Sequence, residues 1–227
     1  FRLTIHKPVS NLRGSLDLRF KMLNKFYLSA ILLCLISSPT LADGEATYGQ
    51  RCVVCHGAQA QGMVAMSSPR LAGQSSAYLQ RQLKHFKLGV RGKADGDNTG
   101  IQMVAIAAGL DDAVMVEVSD YLSALSNELI AEAVNGDART GGKLYQAYCG
   151  SCHGSDATGN EMLNSPNLAL LSSAYFKAQY QKFLNGQRGY DKTDKYGRQM
   201  KMMAAAMPDQ EQIDDVAAYL QSLAASE

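Results

Sequence analysis

The sequence predicts an all-α protein that contains two copies of one helical unit, and three observations lead to this fold class. A pattern of two cysteines, three positions apart and followed at once by a histidine, occurs twice. The residues around the two occurrences match at a constant offset of 97 positions. Apolar residues recur at spacings of three and four, and we find no alternating strand of useful length.

The repeated pattern spans residues 52–56 and 149–153, and it is typical of a site where a c-type haem is attached. On a helical turn, residues i and i+3 face the same way, so two thiols can reach the two vinyl groups of one porphyrin. The histidine that follows can then ligate the iron. We therefore predict two covalently bound haem c groups, attached at Cys52, Cys55, Cys149 and Cys152 and ligated by His56 and His153.

Two other chemistries use the same cysteine spacing. A Cys-x-x-Cys pair can be a redox dithiol or half of a zinc site. A thioredoxin-like dithiol needs an α/β context, which the helical pattern does not provide. A zinc site built from four cysteines would leave both histidines unexplained. The composition also favours haem, because a chain with no Trp and six Phe lacks core surface that two apolar plates would supply.

The first 42 residues have the features of a segment that is removed. Residues 1–21 show no amphipathic period, and we expect them to be a dispensable extension. Residues 22–42 combine the basic Lys25, an apolar run and small residues, which predicts a secretory signal peptide cleaved after Ala42. The run is too short for a membrane span, and Leu33 precedes Cys34 where a lipoprotein needs a small residue. Export fits the motif, because c-type haem is attached outside the cytoplasm.

Charge and repeat boundaries define the remaining chain. Without the first 42 residues it has 16 basic and 20 acidic residues, a net charge of −4, and no basic run suited to nucleic acid.

The predicted units are residues 43–130 and 141–227, joined by a linker at 131–140. No integral membrane span is expected after signal removal, and a peripheral association with a membrane stays open.

Each unit contains two helices that the pattern places clearly. One begins at Ser75 or Ser76 and ends at Gly89, and its counterpart runs from Ser172 or Ser173 to Gly186. A closing helix follows residues 111–112, and its counterpart follows residues 208–209. The closing helices have apolar residues spaced by three and four, namely Met115, Val118, Leu122 and Leu125 in the first copy and Ile213, Val216, Leu220 and Leu223 in the second.

Methionines are the best candidates for the sixth iron ligand. Met103 and Met200 match across the repeat, and each follows a glycine-containing segment that we predict to be a flexible loop over the haem. Most methionines only fill core, and Met202 and Met203 lie close to Met200. His85 has a lysine as its counterpart and is predicted to be a surface histidine. A haem with histidine and thioether ligands passes electrons rather than binding substrate.

With these motifs in place, the sequence resembles the class I cytochromes c, and more closely the diheme cytochrome c4 family. The resemblance covers essentially the whole chain after residue 42, including Cys-x-x-Cys-His-Gly twice and the segments 69–75, 78–91 and 215–220. It implies two tandem cytochrome c domains, each wrapped around one His/Met haem and related by pseudo-twofold packing. It also implies a periplasmic electron carrier without enzyme activity, serving a terminal oxidase or a related respiratory partner.

The resemblance also implies roles for individual residues. The carbonyls of Pro69 and Pro166 would accept a hydrogen bond from Nδ1 of each haem histidine. Gly44 and Gly141 would let the first helix of each unit cross the last one closely, near Tyr121 and Tyr219. Two further residues, Arg91 and Arg188, are either partners of haem propionates or solvated structural arginines. Residues 167–171 depart from the first copy's pattern.

Two rival functions are weighed against the carrier. One is a diheme enzyme, such as a peroxidase or a sulfur-compound dehydrogenase, in which one iron is open or changes its ligand. Such an enzyme should lack one distal methionine or carry extra catalytic residues in one half, and neither feature is found. The other rival is the cytochrome subunit of a larger dehydrogenase. For the carrier, the differing segments before Met103 and Met200 predict unequal reduction potentials.

Overall fold

A computed structural model describes residues 43–126 and 132–224, and its regular structure is helical. In these ranges the only strand-like pairings are two isolated bridges, Met63 with Ser68 and Asn160 with Ser165. The predicted signal peptide and Cys34 lie outside the described residues. Among the helices of the described ranges, none has the length and apolar character needed to span a membrane. The predicted all-α class is confirmed.

The helices repeat in the same order in the two copies. The first copy contains α1 (Gly44–Arg51), α2 (Val53–His56), α3 (Ser76–Leu88), α4 (Asn98–Ala108) and α5 (Asp112–Ala124). The second copy contains α6 (Ala138–Tyr148), α7 (Gly150–His153), α8 (Ser173–Leu184), α9 (Lys195–Ala206) and α10 (Ile213–Ala224). Short 3-10 turns occur at Val64–Met66 and Gln210–Gln212.

The helices predicted from periodicity are α3, α5, α8 and α10, and all four are present. Gly89 ends α3 in the left-handed conformation, with φ of 74°, as a C-terminal glycine does. Asp111 begins α5 by accepting a hydrogen bond from the Val114 N–H at 2.8 Å. The first helix of the second copy begins at Ala138, earlier than the predicted domain start at residue 141.

Each copy buries its own apolar core. In the first copy, Tyr48 of α1, Leu79 of α3 and Leu122 of α5 are buried together. The second copy buries a larger set that includes Tyr145, Phe176, Phe183, Val216 and Leu220. Full burial of one such side chain contributes about 1.5–3 kcal/mol. The first and last helices of each copy therefore pack together around these residues.

Glycine permits the close crossing of the first and last helices in both copies. A Cβ atom on Gly44 would lie 2.2 Å from the Glu117 carbonyl oxygen of α5. A Cβ atom on Gly141 would lie 1.8 Å from the Asp215 carbonyl oxygen in α10. Both distances are far below van der Waals contact, so only glycine fits. The close crossing implied by the resemblance is confirmed.

Two substitutions in α1 test this packing. Gly44→Ala forces a methyl group into the α5 backbone, and we expect it to lower the free energy of unfolding by at least about 2 kcal/mol. Gly49→Ala is the matched control, because its Cβ meets no neighbouring group within 4 Å. That control should raise the free energy of unfolding by about 0.5–1 kcal/mol through helix propensity. Urea unfolding of the haem-loaded protein measures both, and equal effects would contradict the close crossing.

Candidate functional site

Each Cys-x-x-Cys-His motif lies on a helical turn of its own. In the first copy, the backbone N–H of His56 donates to the Cys52 carbonyl at 2.9 Å, and that of Cys55 donates to it at 3.1 Å. In the second copy, the N–H of His153 donates to the Cys149 carbonyl at 3.0 Å. The four cysteines form no disulfide. This is the geometry that lets two thiols face one porphyrin.

The cysteines do not have the character of a redox dithiol or a zinc site. Burial raises the pKa of Cys52 to about 11 and that of Cys149 to about 11. An activated dithiol needs the opposite shift, because the thiolate is the nucleophile. Within residues 43–126 and 132–224, no three His, Cys, Asp or Glu side chains are grouped as metal ligands. The four-cysteine zinc site is therefore not formed.

Each motif histidine is buried and held by a proline carbonyl. His56 Nδ1 lies 3.0 Å from the Pro69 carbonyl oxygen, and His153 Nδ1 lies 3.0 Å from the Pro166 carbonyl oxygen. A carbonyl can only accept, so Nδ1 must carry the proton, which leaves a lone pair on Nε2. Burial lowers the pKa of both histidines and outweighs the opposing effect of the hydrogen bond. Both rings are thus neutral imidazoles at pH 7, the form that binds metal.

In each copy, one glycine after the motif lets its own backbone lie against the peptide unit that follows the histidine-binding proline. Gly62 has a φ of 81° and Gly159 a φ of 92°, both in the left-handed region. A Cβ atom on Gly159 would lie 2.8 Å from the Asn167 nitrogen, and one on Gly62 would lie 2.6 Å from the Arg70 nitrogen. A larger residue would therefore displace the carbonyl that holds the histidine.

A cavity of the first copy brings six predicted site residues together. It is lined by Cys52, Cys55, His56, Pro69, Arg91 and Met103, and its volume is about 1340 Å³ when the open mouth is included. Its walls are mainly apolar, formed by Leu79, Leu83, Phe86, Leu110, Val118 and Leu122. Residues of the second copy also line it, namely Leu171, Tyr175, Gln179 and Lys182. The cavity is therefore shared between the copies.

In the second copy, only one of the three neighbouring methionines of α9 faces inward. Met200 packs against the core cluster, as does Cys149. Met202 is 65% exposed and Met203 is 40% exposed. Of the three candidates considered for this copy, Met200 is thus the one whose side chain lies on the core side of the helix.

The two matched methionines lie on helices that follow a loop in each copy, and the predicted loop segments 96–100 and 189–197 end inside those helices. Met103 lies within α4 and Met200 within α9. Each helix is capped by a buried aspartate: Asp97 accepts from the Gly100 N–H at 2.8 Å, and Asp194 accepts from the Gly197 N–H at 2.8 Å. The capping aspartates and their glycines obey the offset of 97, so the sequence contained this signal.

Each capping aspartate also faces a basic side chain from the other copy. Lys182 Nζ lies 2.5 Å from Asp97 Oδ1 and donates to Thr99 Oγ1 at 2.6 Å. His85 Nδ1 lies 3.8 Å from Asp194 Oδ2, and its side chain is only 16% exposed. The prediction that His85 lies on the surface is wrong, because the second copy covers it. Its repeat partner Lys182 occupies the equivalent place on the other side.

The solvated alternative for Arg91 and Arg188 is also wrong, because both are buried between the copies. Arg91 donates to the Tyr175 hydroxyl at 3.1 Å and to Gln179 Oε1 at 2.9 Å. Arg188 donates to the same Gln179 oxygen at 3.0 Å. Burial and the charge of Arg91 lower the pKa of Arg188.

These two guanidinium groups lack an anionic partner among the residues that the structure describes. No carboxylate lies within 4.0 Å of either group in these ranges. Burying two cations side by side is costly, and haem carries two propionates that would add negative charge to the influence of Asp97 on Arg91. The apolar cavity, paired thiols, neutral imidazole, thioether and buried guanidinium groups together fit a covalently bound haem.

Comparisons with known proteins place this geometry among relatives. The family model described as Cytochrome c matches residues 41–126 and 138–224. A cytochrome c4 of Stutzerimonas stutzeri is 30% identical over 215 residues, which cover 88% of this chain and 100% of the relative. A thiosulfate dehydrogenase electron acceptor of S. stutzeri strain A1501 is 32% identical over 204 residues, covering 82% of this chain and 88% of the relative.

Solved structures show the same similarity. A cytochrome c4 of Acidithiobacillus ferrooxidans has a TM-score of 0.64 and 30% sequence identity, covering 77% of this chain and 99% of its own. The thiosulfate dehydrogenase TsdBA of Marichromatium purpuratum has a TM-score of 0.63 and 25% identity. It matches 79% of this chain and 39% of that longer chain.

Proposed function

Since the chain belongs to the cytochrome c family, as a diheme class I cytochrome of the c4 type, we propose that it is a periplasmic electron carrier. It binds two covalent haem c groups and takes part in electron transfer. The finer proposal has three parts: export by residues 22–42, closure of both irons by histidine and methionine, and delivery of electrons to a terminal oxidase. The convergence of Met103 and His56 on one cavity is the observation that supports it most.

We assign the axial ligands as His56 and Met103 in the first copy and His153 and Met200 in the second. Bound haem supplies one-electron redox chemistry, and thioether ligation favours the ferrous state. The protein's part is to fix the ligands: the proline carbonyls orient the histidines, and the capping aspartates anchor the methionine helices. With both axial positions occupied, neither iron has room for a substrate.

The contacts between the copies favour electron passage from one haem to the other. Tyr175 and Gln179 of the second copy line the cavity of the first. Arg91 and Arg188 meet on one glutamine oxygen between the two sites, where the propionate edges of both haems would supply the missing negative charge. We therefore expect an electron that enters one copy to pass to the other across these contacts.

A second candidate function is that of electron acceptor for a dehydrogenase. The similarity to a thiosulfate dehydrogenase electron acceptor at 32% identity favours it. The two roles predict different fast reactions, namely oxidation by an oxidase for the first and reduction by a dehydrogenase for the second. If the oxidase is the partner, the reduced protein should be reoxidised within seconds by membranes that contain one. Slow reoxidation, together with fast reduction by a dehydrogenase and its substrate, would replace our proposal with the second candidate. Each reaction is followed by the absorbance of the reduced haems.

Methionine substitutions test the ligand assignment. Oxidised haem with a methionine ligand has a far-red charge-transfer absorbance, and we expect the wild type to show the intensity of two such centres. Met103→Leu and Met200→Leu should each remove about half of this intensity, because leucine has no atom that ligates iron. Met202→Leu is the matched control from the exposed side of α9 and should leave the absorbance intact.

The control also sets the result that would contradict the assignment. If Met202→Leu removed half of the absorbance and Met200→Leu left it unchanged, the ligand of the second copy would have to be reassigned. If Met103→Leu had no effect, the first iron would have a different sixth ligand or none.

A further inference from the structure

Gln74 of the first copy reaches into the histidine-holding segment of the second copy. Its side-chain Oε1 accepts from the Asn167 N–H at 2.9 Å, and its Nε2 donates to the Asn167 carbonyl at 2.9 Å. The carboxamide thus pairs with both backbone groups of one residue, as a neighbouring strand would. Gln74 is only 2% exposed, so these bonds are made away from water.

The peptide that Gln74 binds is the one that holds His153. The Asn167 N–H and the Pro166 carbonyl belong to the same peptide unit, which lies between these two residues. Its carbonyl accepts from His153 Nδ1 at 3.0 Å, while its N–H donates to Gln74 Oε1 at 2.9 Å. A continuous chain of hydrogen bonds therefore runs from the side chain of the first copy to the imidazole of the second.

Hydrogen bonds in such a chain polarise one another. An acceptor on the N–H side of a peptide makes its carbonyl oxygen more negative, and this strengthens the bond from His153 Nδ1. A stronger bond at Nδ1 makes Nε2 a more basic ligand, because second-shell partners tune the imidazole in this way. A more basic ligand stabilises ferric iron and lowers the reduction potential.

The other copy has no equivalent of this hydrogen-bonded arrangement. The position equivalent to Gln74 is Leu171, whose side chain has neither a donor nor an acceptor. Leu171 instead lines the cavity of the first copy. The pseudo-twofold pattern that relates Asp97 to Asp194 and Arg91 to Arg188 is therefore broken at this point.

We propose that Gln74 is a positioning residue for His153, acting across the two copies through the Pro166–Asn167 peptide to lower the reduction potential of the second haem. This inference rests on the proposed ligation of iron by His153. It makes one haem's potential depend on a residue of the other domain.

Gln74→Met tests the proposal, because methionine conserves side-chain length but cannot form either hydrogen bond. In the reduced, ¹⁵N-labelled holoprotein, we expect the Asn167 amide to exchange with solvent faster and the His153 Nδ1 proton to move to lower frequency. A redox titration should show a raised potential for the second haem, larger than any change at the first haem, whose cavity Gln74 also lines. The His56 proton should not move.

Gln80→Met is the matched control. It makes the same glutamine-to-methionine change at a position within α3, where the Gln80 side chain donates only to the Ser76 hydroxyl. It should leave the His153 proton and both potentials at their wild-type values. Gln74→Glu with its buried carboxyl protonated provides a conservative rescue, since one oxygen still accepts from the Asn167 N–H and the acid hydroxyl takes over the donation to the Asn167 carbonyl. It should hold the His153 proton near its wild-type position, with a potential no higher than wild type. If Gln74→Met does not fold, Gln74→Ala removes the same two hydrogen bonds and has the same expected results.

Two outcomes would overturn the proposal. The first is faster exchange at Asn167 in Gln74→Met with an unmoved His153 proton and unchanged potentials. The second is a raised potential in Gln74→Glu. Failure of the underlying ligation would be seen separately, because the His153 ring protons of the reduced wild-type protein would then lack the ring-current shift of an imidazole bound to haem iron, before any variant is made.

Discussion

A carbonyl oxygen has no proton to give, so the histidine nitrogen 3.0 Å from it must carry one. This single requirement leaves Nε2 of His56 and of His153 free to bind iron, and much of each repeat serves to maintain it. The helical turn presents the histidine beside two thiols, and a left-handed glycine lets the backbone lie against the proline's peptide. Burial keeps the ring neutral. The same bond then becomes the route by which a neighbouring residue can reach the iron.

The contacts between the copies combine symmetric and asymmetric elements. Both capping aspartates face a basic group of the other copy, but one group is the lysine Lys182 and the other is His85, whose pKa is lowered by burial. Only the first copy sends a glutamine across to the other histidine's peptide. Each difference lies next to an element that carries a proposed ligand of one haem and not of the other. Two haems of the same type can thus acquire unequal potentials without any change of axial ligands.

The internal repeat made most of the single-copy structure predictable. Periodicity located α3, α5, α8 and α10, and the resemblance anticipated the histidine–proline bond and the crossing at Gly44. The predictions that failed concern the contact between the two copies. A constant offset shows which residues of the copies correspond, but not which of their surfaces are in contact. His85 therefore looked exposed until the second copy covered it. The departure at residues 167–171 was visible in the sequence, but only the structure shows that Gln74 binds there. The matched aspartate caps could have revealed that Met103 lies on a helix.

The most direct test of a closed, diheme electron carrier is the number of carbon monoxide molecules that the fully reduced protein binds, measured by titration of its visible spectrum at neutral pH. Carbon monoxide needs an open or readily opened position on ferrous haem. If His56, Met103, His153 and Met200 fill the axial positions, the spectrum should not change at any concentration tested. Binding of one carbon monoxide per two haems would show that one iron is open, as in an enzyme, and would contradict the carrier function.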